Sequence, residues 1–291
     1  MIFWLRIIGL IFTGFILQKQ RFIPSNIIRA TIGFAIYFLI PLFILTTMWN
    51  SRFSIVSATN LGLVIFFVIV IGICLALLFA HICKQDFHEV ALPIVIMNSG
   101  YLGIPVIVSY LGQQALPYAV IYDVLIVLIS STLGVWIIGG KGIKEIFNIP
   151  FVYASIIGLI LNFSGVPIPE SLIKINSILP KVVLPAILNL VGYNLVITNF
   201  NMIKISIVAG FLRIFGGFLT AYAVVLIIGL KGTIADVVIL ASSMPSAVVS
   251  YILSEKYSSN TNFAATTVFI STLASILFIP LIVLFIQIGV R

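Results

Sequence analysis

Residues 97–108 read MNSGYLGIPVIV, and they interrupt a run that is otherwise apolar. Asn98, Ser99, Gly100, Gly103 and Pro105 fall within eight residues. Asn and Ser compete for backbone hydrogen bonds, Gly is entropically costly inside a helix, and Pro lacks the amide donor. Such a stretch marks the break of a helix. In a bilayer a break exposes N–H and C=O groups that lipid cannot satisfy, so it persists only where protein buries it or where it lines a wet cavity.

The composition places this break in a membrane. Of 291 residues, 62% are hydrophobic and 8% charged, with a mean hydropathy of +1.31. Soluble domains carry about 25% charged residues. A chain this poor in charge cannot cover a water-facing surface, so the fold class is an all-α polytopic membrane protein. The net charge of +8 does not point to nucleic acid, because Lys and Arg sit in loops where they set orientation. Cys74 and Cys83 fall in or near one apolar span and give no disulfide framework. The N-terminal MIFWLRIIGLIFTGFILQ lacks a basic leader region and a small-residue cleavage site, so it is read as the first span.

Apolar runs near the crossing length of roughly 20 residues predict ten spans, at 2–18, 27–48, 60–83, 90–111, 116–138, 149–163, 178–198, 203–229, 234–254 and 262–288. Residues 49–60 and 164–177 are the longest polar connections. Loops after odd-numbered spans hold Lys19, Arg21, Arg29, Lys84, Lys141, Lys144, Lys204 and Lys256. Loops after even-numbered spans and the C-terminal tail hold Arg52, Lys174, Lys181, Lys231 and Arg291. The positive-inside rule then puts both termini outside the cytoplasm.

Several pairs recur near one offset. Pro105 and Pro245, and Ser131-Thr132-Leu133 and Ser271-Thr272-Leu273, are 140 apart; Val108-Ser109-Tyr110 and Val249-Ser250-Tyr251 are 141 apart; Pro41 and Pro185 are 144 apart. This predicts a 5+5 duplication, 1–141 and 142–291. An odd number of spans per unit inverts one copy against the other, as in secondary transporters whose substrates lie between broken helices. The ninth span offers a matching break in LASSMPSAVVSY. The N-terminus of each resumed half-helix carries roughly half a positive charge and attracts carboxylates. Asn98, Ser99, Gly103 and Pro105, with Ser242, Ser243, Pro245 and Ser246, are therefore the candidate anion site.

Ionisable groups inside a membrane are functional suspects. Asp123 in the fifth span is the candidate coupling residue, and the 140-residue offset sets Phe263 opposite it. Arg213 in the eighth span is a candidate to face a carboxylate substrate or to pair with Asp123 or Asp236. Asp236 opens the ninth span, and Arg6 lies near enough to an end to reach the interface. His81, Cys83, Asp86, His88 and Glu89 hold ligand-type side chains, but their spacing matches no metal motif. Asn60, Asn189 and Asn194 are expected to hydrogen-bond between helices. Tyr101, Tyr110 and Tyr122 suit a pocket wall or ordinary packing. No His-Glu-x-x-His, Gly-Asp or Ser–His arrangement supports an intramembrane enzyme.

The run MNSGYLGIPVIVSYLGQQALPYAVIYDVLIVLISSTLG resembles the fourth and fifth spans of the auxin efflux carrier family. The family's Asn-x-Gly-x-Leu-Gly-x-Pro pattern falls on Asn98, Gly100, Leu102, Gly103 and Pro105, followed by Gly112, Ala115, Leu116 and Tyr122. SSMPSAVVSYILSEKYSSNTNFAATTVFISTLASILFIPLI resembles its ninth and tenth spans, while FLIPLFI and LPAILNLVGYNL resemble its second and seventh. The resemblance implies crossed fourth and ninth helices, an elevator-type exchange, small organic-anion substrates and a homodimer. The centre, residues 139–148, is short, as in microbial members. Serines stand near the ninth-helix break where plant members use an asparagine, which argues against auxin-like specificity. No cofactor is expected. A sodium symporter of the bile-acid type, a channel and a sensor are the rival readings.

Overall fold

The computed structural model describes residues 2–19, 30, 33–50, 55–138, 150–193, 202–257 and 261–289. In chain order the helices are α1 (Ile2–Lys19), α2 (Ile40–Trp49), α3 (Ile55–Cys83), α4 (Phe87–Val95), α5 (Ile104–Leu111), α6 (Leu116–Ile129), α7 (Pro150–Phe163), α8 (Glu170–Tyr193), α9 (Ile203–Ile228), α10 (Thr233–Ser242), α11 (Val248–Tyr257) and α12 (Thr261–Gly289). Among the described residues, four stretches are long and apolar enough to cross a membrane: Thr59–Cys83, Gln113–Gly134, Ile203–Ile228 and Thr261–Gln287. Shorter apolar helices lie in the expected first, second, fourth, sixth and ninth spans.

Local chemistry explains where these helices start and stop. Pro117 sits in the first turn of α6, where a missing N–H costs nothing. The Asp86 carboxylate caps α4 by accepting from the His88 amide at 2.8 Å. α9 ends on Gly229 in the left-handed region (φ 67°), and Leu230 N–H returns to the Val225 carbonyl at 3.0 Å.

The chain divides into two compact units, each built from two separate stretches. The first comprises Met1–Ser54 and Glu145–Asn194. In it α1 packs on α8 and α2 on α7. Gly14 brings α1 so close that a Cβ there would strike the Asn189 carbonyl oxygen. Thr13 Oγ1 donates to Asn189 Oδ1 at 2.6 Å, so Asn189 does join two helices; Asn194 lies outside the described residues. A Cβ on Gly158 would come to 2.8 Å from the Leu45 carbonyl oxygen, and Asn162 Nδ2 donates to the Trp49 carbonyl at 2.9 Å. Gly158→Ala therefore has to push backbone apart. It is expected to cost about 1–3 kcal/mol, read as a lowered unfolding midpoint in detergent.

The second unit comprises Ile55–Lys144 and Leu195–Arg291. There α9 packs against α3, α10 and α12. Phe211, Phe215, Phe218 and Tyr222 form one face of α9 and meet Phe278 and Phe285 of α12 edge to face, at centroid distances of 4.9–5.6 Å. Leu77, Leu78, Leu226, Ile227 and Leu277 are exposed, as side chains that meet lipid should be.

Two expectations need correction. The fourth span breaks at residues 96–98, earlier than expected. Gly100 and Gly103 lie in a π turn (Ser99–Gly103) that runs on into α5, so Pro105 lies within a continuous helix and does not break it. The seventh-span helix begins at Glu170 rather than 178, because an acidic residue just after Pro169 suits a helix N-terminus. Part of the polar connection 164–177 is thus helical.

Candidate substrate site where two helices break

Within the second unit, α4 stops at Val95 and α10 at Ser242, and the two following segments pair. Met97 and Ser246 form an antiparallel bridge. Asn98 N–H donates to the Pro245 carbonyl at 2.8 Å, and Ala247 N–H to the Ile96 carbonyl at 3.0 Å. A helix end leaves four carbonyls without intrahelical donors, and here each has a partner. For α4, Leu92 O accepts from Ile96 N–H, Pro93 O from Ser246 Oγ at 2.5 Å, and Ile94 O and Val95 O from Arg213 Nη1 at 3.0 and 2.7 Å. For α10, Ile239 O and Leu240 O accept from Ser243 N–H, Ala241 O from Met244 N–H, and Ser242 O from Arg213 Nη2 at 2.9 Å.

Arg213 is buried (1% exposed) and spends both terminal nitrogens on these carbonyls. That replaces the expected pairing with Asp123 or Asp236. The sequence gives no sign of it, because its partners are backbone atoms. Gly217 allows the approach: a Cβ there would strike the Ser242 carbonyl oxygen and Arg213 Nη2. Gly72 lies against Val95 on the other side, and its Cβ would come to 4.0 Å from Arg213 Nη1.

The donor side of the break is arranged differently. Asn98 caps the π turn: its Oδ1 accepts from Leu102 N–H at 3.3 Å and its carbonyl from Gly103 N–H at 3.0 Å. Its Nδ2 is buried with no acceptor. Helix geometry leaves the amides of Ser99, Gly100 and Tyr101 without intrahelical acceptors. The Asp123 carboxylate faces this turn. Ser99 Oγ donates to its Oδ1 at 2.8 Å, and a Cβ on Gly100 would come to 2.5 Å from its Oδ2. A carboxylate thus rests beside the positive end of a helix, as the dipole favours.

Of the sequence-predicted residues, Asn98, Ser99 and Gly103 meet at the first break, and Ser242, Ser243, Pro245 and Ser246 at the second. Gly103 faces Met244, whose Cγ a Cβ there would approach to 3.2 Å. Pro105 stands apart in α5. The ninth-span serines are fully buried, and each hydroxyl has a partner: Ser243 Oγ donates to Ile239 O, Ser246 Oγ to Pro93 O, and Ser242 Oγ meets the Tyr122 hydroxyl at 2.8 Å. Tyr122 also approaches Met97 Sδ at 4.0 Å and so touches both breaks. Pro93, inside α4 just before its end, is a break signal that the sequence reading passed over. Asp86 is a helix cap and His88 Nδ1 meets the Ile137 carbonyl.

A bundle of apolar helices, with two of them broken and paired at a buried polar centre, defines an all-helical membrane protein of the transporter class. The sequence matches the family described as membrane transport protein over residues 135–283. A protein named as an uncharacterized transporter of Methanothermobacter thermautotrophicus is 30% identical over 196 residues, covering 64% of this chain and 63% of the relative. One so named in Methanocaldococcus jannaschii is 28% identical over 285 residues, covering 92% of this chain and 90% of the relative. The chain belongs to the membrane transport protein family, the auxin efflux carriers that its motifs resemble.

Proposed function

We propose that this transporter is a secondary carrier for a small organic anion, a carboxylate in the malate or malonate class, bound where α4 and α10 break. The supporting observation is the imbalance of polar groups at the break. Its helix-end carbonyls are all taken up, three of them by Arg213. Asn98 Nδ2 remains as a donor without an acceptor, and helix geometry leaves the first-turn amides of the π turn without intrahelical acceptors. Donors without acceptors suit an anion. A sodium ion needs several oxygen ligands, and these carbonyls already have hydrogen-bond partners.

In this reading Asn98 and Ser99 contact the carboxylate. Gly103 gives the chain close approach, Pro105 lies within the resumed helix, and Ser242, Ser243, Pro245 and Ser246 hold the opposite wall. Asp123 shares the same positive helix end as the substrate. Two carboxylates there repel unless one is protonated, so Asp123 is the coupling residue. The architecture is read as a 5+5 inverted repeat with the fourth and ninth helices crossed. The second unit would move as a body in an elevator-type alternation. The carrier is placed in the cell membrane with both termini outside the cytoplasm, as a homodimer.

The test compares a carboxylate with its neutral amide. Malonate is expected to raise the unfolding midpoint of the detergent-purified protein in sodium-free buffer, and malonamide is not. Equal stabilisation by both would sink the anion reading.

A further inference from the structure

The buried charge on Arg213 serves neither substrate nor acid directly, and its geometry assigns it another task. Its Nη1 holds Ile94 O and Val95 O, the last two carbonyls of α4, and its Nη2 holds Ser242 O, the last carbonyl of α10. No other described side chain bonds the last carbonyls of both helices. The charge accounting agrees. Each helix C-terminus carries roughly half a negative charge, so two of them together neutralise about one guanidinium. A cation this deep would be costly alone, and here two converging helix ends compensate it. Arginine suits the task because its planar fork has several donors, whereas lysine is one compact point of charge. Gly217 and Gly72 flank the fork, and a Cβ on Gly217 would collide with Nη2 and with the carbonyl it holds.

We propose that Arg213 is the positioning residue of the site: it clamps the broken ends of α4 and α10 together and thereby keeps the Met97–Ser246 bridge in register. It acts through the bridge and not on the substrate. The proposal deepens the anion-site reading without depending on it, since the bridge exists whatever the chain carries.

The amides of Asn98 and Ala247 close the bridge, so hydrogen exchange at these two positions reports the clamp with no ligand present. Exchange would be followed by mass spectrometry on detergent-purified protein, in peptides covering 96–98 and 245–247. Arg213→Gln is expected to speed exchange there about tenfold or more, because local opening becomes easier, while peptides from the middles of α3 and α12 keep wild-type protection. Arg213→Lys is expected to fall between, since one ammonium replaces part of the fork. Gly217→Ala keeps the arginine but displaces it, and is expected to give the same localised loss. It decides the matter if Arg213→Gln does not fold.

Bridge peptides in folded Arg213→Gln or Gly217→Ala that exchange as slowly as wild type would overturn the proposal. So would a loosening spread evenly over the second unit, which is what a merely structural arginine gives. A second arm uses whichever carboxylate the wild type carries. Arg213→Lys should raise KM about tenfold with little change in kcat, as loss of ground-state positioning does. If the wild type carries no carboxylate, the anion reading fails while the exchange result still stands or falls by itself.

Discussion

Asn98→Ala is expected to lower carboxylate uptake by about 10- to 100-fold, the worth of one hydrogen bond to a charged group, while the protein stays folded and monodisperse. The amide is in a position to do this because its two ends have separate tasks. Oδ1 accepts from Leu102 N–H and caps the π turn, whereas Nδ2 is buried with no acceptor of its own. Alanine removes both ends. Asn98→Asp separates them: it keeps the acceptor and cap but replaces the donor with a negative charge. That variant should be as inactive toward carboxylates as alanine, and less stable than wild type at a pH where its buried carboxyl is charged. Initial rates in proteoliposomes together with unfolding midpoints check both statements. Wild-type uptake in Asn98→Asp would remove the donor from the account.

Asp123→Asn has the second large effect, on coupling rather than on binding. The carboxylate lies against Ser99 and Gly100, at the positive end of the helix that the substrate would also use. If a proton on Asp123 accompanies each anion, one pH unit of gradient is worth about a tenfold accumulation of substrate. Asparagine resembles the protonated acid in shape and charge. The variant is therefore expected to bind and exchange anion but not to concentrate it in response to a pH gradient. Gradient-driven accumulation by Asp123→Asn equal to wild type would exclude Asp123 as the coupling group.

How much of this was legible beforehand depends on whether side chains or backbone carry the information. Apolar run lengths reveal the spans because the bilayer imposes them, and the positions of α3, α9 and α12 follow directly. The Asn98 neighbourhood was legible because Asn, Ser, Gly and Pro are rarely massed inside a helix without cause. The exact break was not. Pro105 looked like a breaker, but the π turn runs on into α5 past it, and the interruption lies where α4 ends two residues beyond Pro93. Arg213 was visible as a buried charge and invisible as a clamp, since carbonyls have no letter in a sequence. The ninth-span serines looked like ligands of an anion. In the structure the hydroxyls of Ser242, Ser243 and Ser246 are bonded within the protein. The expected helix start at 178 failed for a related reason: Glu170 and its neighbours are too polar for a span, yet they extend the same helix as its exposed first turns. Loop residues behind the orientation argument, including Arg21, Arg29, Lys141 and Lys144, lie outside the described residues.

The break offers donors to an anion, while its helix-end carbonyls are already hydrogen-bonded. The most direct test of the anion reading is counterflow in proteoliposomes preloaded with malonate, with labelled malonate outside and sodium absent from both sides. The account predicts saturable uptake, accelerated by the internal malonate, insensitive to added sodium and lost in Asn98→Ala. Uptake that appears only with sodium, or that proceeds at the wild-type rate in Asn98→Ala, would contradict it.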